Sequence, residues 1–100
     1  MENTTSDAGK VSIKLPPRFE LSSIQGFRKS YSSALSDVAI KRIEVDFSAV
    51  EFIDSSALGS LLVLHERAQK ANQVVTLNNC QPKVMKILKV ANFHRFFTTS

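Results

Sequence analysis

The strictest pattern in the chain is residues 41–47, KRIEVDF, where charged and apolar side chains alternate from Arg42 onward. Ile43, Val45 and Phe47 fall on one side and Arg42, Glu44 and Asp46 on the other. A period of two is the mark of a strand with one face in a core and the other in water. Such a strand does not suit a sheet covered on both faces, so the pattern predicts helices packed mainly on one side. Residues 11–15, VSIKL, repeat the alternation, and residues 73–78, QVVTLN, form a short β-branched run of the same kind.

Between these runs the spacing changes to that of helices. Ser22 or Ser23 caps a helix to about Ser36, with Ile24, Phe27, Tyr31 and Leu35 as its inner stripe and Arg28 and Lys29 outside it. A second helix runs from Ser55 or Ser56 to about Ala71, with Leu58, Leu61, Leu62, His65 and Ala68 inward and Leu64 widening the stripe. A third starts at Pro82, whose missing N–H costs nothing in a first turn, and places Val84, Ile87, Leu88 and Ala91 inward. Asn92 is suited to end it in a left-handed conformation. Pro16 and Pro17 end the first strand, since neither can donate to a ladder, and residues 18–21 form a short second strand or an irregular link. Phe93, Phe96 and Phe97 are expected to cover an edge of the core or, failing that, to form an exposed docking patch.

The stretch that carries function is residues 50–62, VEFIDSSALGSLL. Asp54-Ser55-Ser56 precedes a helical pattern, so Asp54 or Ser55 acts as N-cap and accepts a hydrogen bond from a first-turn N–H. A serine hydroxyl there lies at the positive end of the helix dipole, where an added phosphate is tolerated by its own helix. On spacing alone, the three residues read first as an ordinary helix cap.

Residues 53–62, IDSSALGSLL, resemble the D-S-[ST]-G-[LIV]-G signature of the STAS domain family, the anti-sigma-factor antagonists, and residues 11–100 follow that family's order of elements. The resemblance implies one α/β domain: a four- to five-stranded mixed sheet with three to four helices mainly on one face. Residues 1–10, polar throughout, are expected as a disordered tail ahead of it. The resemblance also implies that Ser55, directly after the aspartate, is a regulatory phosphorylation site. Ala57 stands where the family usually has glycine. That exchange favours the helix by roughly 1 kcal/mol and allows its start to move by one residue, so Ser56 is a second candidate. The partner-binding surface expected from this reading is Asp54, Ser55 and Ser56 with the strip Gly59, Ser60, Val63 and Arg67 on the helix.

The partners implied are a serine kinase of the anti-sigma type and a metal-dependent PP2C-like phosphatase. ATP and metal then belong to those proteins, and no cofactor is expected on this chain. An alternative within the same family is a constitutive small subunit of a membrane lipid-transport ATPase, docked through the strip from Gly59 to Arg67.

Other classes find little support. There is no G-x-S-x-G, P-loop or H-E-x-x-H motif, and no histidine adjoins either serine of the motif, so no enzyme is expected. His65 reads as a packing residue, and His94 lies near the end of the chain. The formal charge is +4, from 13 Lys and Arg against 9 Asp and Glu, but the lysines do not gather beside stacking aromatics, so no nucleic acid is expected. Lys83, Lys86 and Lys89 recur every third residue of the third helix as a solvated row, with an acidic partner or a nucleic acid as the sharper alternatives. The single Cys80 reads as a small core filler, leaves no internal disulfide and fits a reducing cytoplasm. Residues 1–10 lack the apolar run of an export signal, and no run of 18 apolar residues offers a membrane span. A monomer is expected, because a docking face has to be free.

Overall fold

The computed structural model describes residues 4–7 and 9–100, with side chains from Gly9 onward. Strands β1 (Thr4–Asp7), β2 (Lys10–Lys14), β4 (Arg42–Asp46), β6 (Val74–Asn78) and β7 (Thr98–Thr99) form a five-stranded sheet in the order β1-β2-β4-β6-β7. β1 is antiparallel to β2, and the other pairings are parallel. Parallel neighbours need a crossover. Helices α1 (Ile24–Leu35), α2 (Ser55–Lys70) and α3 (Pro82–Val90) supply them.

The registers set the core. Val11 pairs with Ile43 and Ile43 with Val75, while Ile13 pairs with Val45 and Val45 with Leu77. These two rows of side chains point the same way and all are buried. The alternate positions, Lys10, Ser12 and Lys14 against Arg42, Glu44 and Asp46, form the polar face, where Glu44 meets Lys10 at 3.5 Å and Arg42 at 3.9 Å. Helices therefore cover one face, as the alternation predicts.

One departure from the sequence reading concerns the amino-terminal part. Residues 1–10 are expected as a disordered tail, yet Thr4–Asp7 are paired as β1 and Lys10 begins β2. The remaining positions of that tail, 1–3 and 8, lie outside the described residues. Gly9 makes the hairpin possible: its φ is +81°, a Cβ there would lie 3.1 Å from the Ala39 carbonyl oxygen, and its own carbonyl accepts from Lys41 N–H at 2.7 Å. The link after the prolines is a short strand, β3 (Arg18–Phe19), which pairs in parallel with β5 (Phe52–Ile53) as a separate two-stranded sheet.

The helices bury narrower and slightly rotated stripes. α1 buries Phe27, Tyr31 and Ala34, with Ile24 and Leu35 at its margins. Phe19, Phe27 and Tyr31 stack edge to face at 5.1 and 5.2 Å, closing the core under β3. On α2 the buried residues are Ala57, Leu61, Leu64 and Ala68, so Leu64 belongs to the centre of the stripe, and Leu58, Leu62 and His65 lie on its flank. The apolar arc of this helix is wide, and its neighbours select the centre. On α3 Val84 and Leu88 are buried, whereas Ile87 is 40% exposed. Phe93 and Phe97 close the core, and Phe96 is outside it.

Three asparagines, Asn72, Asn79 and Asn92, hold positive φ near +60° and turn the chain after α2, β6 and α3. This is the conformation in which Asn is favoured among residues with a Cβ.

Candidate functional site

The start of α2 is assembled from three segments. The double proline sends the chain beside β5, where the Pro17 carbonyl accepts from Glu51 and Phe52 N–H at 2.8 and 3.1 Å. A 3-10 turn, Leu21–Ser23, then leads into α1 and lies against the same corner. Asp54 joins them. Its backbone is extended, its Oδ1 accepts from Ala57 N–H at 2.8 Å, and its Oδ2 accepts from Leu21 N–H at 3.0 Å. Both carboxylate oxygens are thus engaged by backbone groups, one in its own helix and one 33 residues away. The choice between Asp54 and Ser55 as cap is settled for Asp54, and α2 begins at Ser55 despite Ala57. Ala57 is fully buried beneath this corner.

Capping by Asp54 leaves Ser55 outside the framework. Ser55 is exposed at the first helical position, and its hydroxyl makes no hydrogen bond among the described residues. Ser56 is half-buried. Ser60 is half-buried too, and its hydroxyl donates to the Ala57 carbonyl at 2.7 Å. Gly59, Val63 and Arg67 are exposed, and a Cβ at Gly59 would touch nothing within 4 Å, so the glycine is not there to admit another part of this chain. All seven expected partner-binding positions therefore lie along one end and one outer strip of α2. Beside them, sequence reasoning missed two exposed apolar side chains: Leu21, 69% exposed, and Phe52, 40% exposed. The Arg18 guanidinium stands 4.2 Å above the Phe52 ring and pairs with Glu20 at 3.0 Å.

At 100° per residue, Ser55, Leu58 and Leu62 follow one another along the flank of α2 that turns toward α3. Leu58 there forms a groove of about 400 Å³ with Lys86, Ile87, Val90 and Ala91. A smaller cavity of about 210 Å³ lies further along, between His65, Gln69, Gln73, Phe96 and Thr98.

Among the described residues no base is hydrogen-bonded to Ser55. His65 packs its ring against Phe96 and Phe97 at 5.5 and 5.3 Å, and His94 is exposed in the turn after α3. Cys80 is half-buried, and burial pushes its thiol up from 9.0 to about 11, so it is protonated at neutral pH and a weak nucleophile. Among the described residues no cluster of three or more His, Cys, Asp or Glu could hold a metal ion. None of their helices is long and apolar enough to cross a membrane.

A mixed sheet with helices packed on one face defines the class as a small α/β domain. The chain belongs to the STAS domain family, whose model matches residues 9–100. It is 35% identical over 96 residues to the STAS-domain containing protein PA14_20770 of Pseudomonas aeruginosa (strain UCBPP-PA14), covering 96% of this chain and 93% of that one. Its fold is similar to that of an anti-sigma-factor antagonist (STAS) domain protein from Planctomyces limnophilus, with TM-score 0.84, 19% identity, and 97% and 86% of the two chains covered. It is also similar to that of the Bacillus cell fate determinant SpoIIAA in its phosphorylated form, with TM-score 0.76, 19% identity, and 98% and 89% covered. At these identities the two structures speak to the fold alone.

Proposed function

We propose that this chain is a protein-interaction module switched by phosphorylation of Ser55. The observation that carries the reading is the division of labour at the start of α2: Asp54 alone caps the helix, and the adjacent Ser55 hydroxyl is exposed and unbonded. Unphosphorylated, the end of α2 and its outer strip dock a partner through Ser56, Gly59, Ser60, Val63 and Arg67, with Leu21 and Phe52 adding apolar area. A phosphate adds about −1.5 to −2 charges at pH 7. The helix N-terminus accommodates that charge, but a closely packed contact does not, and the Asp54 carboxylate beside it adds like-charge repulsion. Binding is lost without a change of fold.

The partner in this reading is a serine kinase of the anti-sigma type, with a PP2C-like phosphatase restoring the hydroxyl, and the module works in the cytoplasm as a monomer. Ser55 is preferred to Ser56 because a kinase has to reach the oxygen and Ser56 is half-buried. Support for the switch comes from membership of the STAS domain family together with the exposed, unbonded hydroxyl of Ser55. The test is a pull-down with Ser55→Ala and Ser55→Glu as baits. Alanine retains the kinase and glutamate loses it; equal capture by both refutes the switch at this position. Co-purification of a lipid-transport ATPase with both variants would instead assign the strip from Gly59 to Arg67 to the constitutive subunit role.

A further inference from the structure

The groove between α2 and α3 has a chemistry that the Ser55 switch does not use. Its walls are Leu58 on one helix and Ile87, Val90 and Ala91 on the other, with Lys86 as its polar member. Val90 is 80% exposed, so its apolar side chain stands open to a ligand at the edge of the groove. α3 carries Lys83, Lys86 and Lys89 and no acidic residue. None of the three lysines has an ion-pair partner among the described residues. An apolar groove between two helices, with the unpaired ammonium of Lys86 in its wall and Lys83 one turn away on the same helix, matches one kind of occupant in charge.

We infer that this groove receives an acidic amphipathic helix of a partner protein. The helix lays aliphatic side chains against Leu58, Ile87 and Val90, as a ridge enters the groove between two others. Its carboxylates face Lys86 and the neighbouring Lys83. A second copy of this chain is disfavoured as occupant, because α3 would meet the same lysines across the contact. The inference names the partner's element and rests on the reading above only in taking the ligand to be a protein.

The experiment is a titration of the isotope-labelled, unmodified full chain with a synthetic helix of about 18 residues, carrying leucines at helical spacing on one face and glutamates on the other. A control peptide replaces every glutamate with lysine. The amide signals of Leu58, Lys86, Ile87, Val90 and Ala91 shift with the acidic peptide and not with the basic one. Lys86→Glu weakens binding by about tenfold or more, raised salt weakens it further, and Lys10→Glu on the open sheet face changes it by less than about twofold. Val90→Ser, a surface exchange that leaves the fold intact, weakens binding as well.

Shifts confined to other surfaces, equal binding of both peptides, or Lys86→Glu binding like the parent would overturn the inference. So would lysine-dependent binding to phosphatidylglycerol vesicles without binding of the peptide, or a dimer that Val90→Ser dissolves. Because the titration uses the unmodified chain, a failed Ser55 switch leaves its result standing, and a silent groove leaves the switch standing.

Discussion

α2 and α3 each follow a strand through a short polar turn, and their starts are held by different means. At α2 the Asp54 carboxylate caps the helix and reaches Leu21 as well, joining two corners of the molecule. At α3 Gln81 provides no side-chain cap, and Pro82 removes one unsatisfied donor outright. That turn is fastened from outside the helix: the Gln81 amide donates to the Ser48 carbonyl at 3.1 Å, and the Asn79 amide donates to Asp46 at 3.1 Å. The polar side chains of the α3 turn are thus engaged in holding it. The α2 start is held by one residue, and the serine beside it is left over, which makes it available for regulation at little cost to stability.

The largest effect expected from this contrast is at Asp54. Asp54→Ala removes the cap and the tether to Leu21 together, and should destabilise the domain by about 2 kcal/mol or more, read from urea unfolding. A loss below about 0.5 kcal/mol would mean that the α2 start does not depend on this carboxylate.

Asp46, on the α3 side, should show a smaller and pH-dependent effect. Partial burial works to raise its carboxyl, but the Ser48 backbone N–H, the side chains of Asn79 and Ser48, and the charge of Lys14 outweigh it and hold it below 3.8. A carboxyl depressed in the folded state contributes stability that is present above the unfolded value and is lost as pH falls through the folded one. Asp46→Asn should therefore lower stability at neutral pH by less than about 1 kcal/mol, since the group is partly exposed, and should flatten the acid limb below about pH 4. An unchanged acid limb would show that these hydrogen bonds do not hold the turn.

The smallest effect on stability belongs to Ser55. Ser55→Ala should shift unfolding by no more than about 0.5 kcal/mol, as expected of an exposed residue without partners. A loss comparable to that of Asp54→Ala would return Ser55 to the role of a structural cap.

How far the sequence reveals these features depends on whether they are local. The alternation of Ile43, Val45 and Phe47 gave the one-sided sheet, and Asp54-Ser55-Ser56 gave the start of α2 to within a residue, because both are read over a few consecutive positions. β1 escaped the pattern because TTSD has no apolar alternation. The inner stripe of α2 was rotated because Leu58, Leu61, Leu62 and Leu64 span too wide an arc for periodicity to find its centre.

Long-range polar contacts left no signal at all. Asp54 reaches Leu21, and the buried Gln73 amide donates to the Ala34 and Ile40 carbonyls at 2.7 and 3.1 Å, fastening β6 to the end of α1. The groove was legible only in halves. The lysine row stood out, but its apolar companion Leu58 lies on another helix.

The most direct check on a regulatory hydroxyl set apart from the framework is phosphosite mapping of the chain isolated from its own host. Mass spectrometry should find phosphoserine at Ser55 with Ser56 unmodified. Phosphate on Ser56 in place of Ser55, or a Ser55→Ala chain that is modified as fully as the parent, would contradict this assignment.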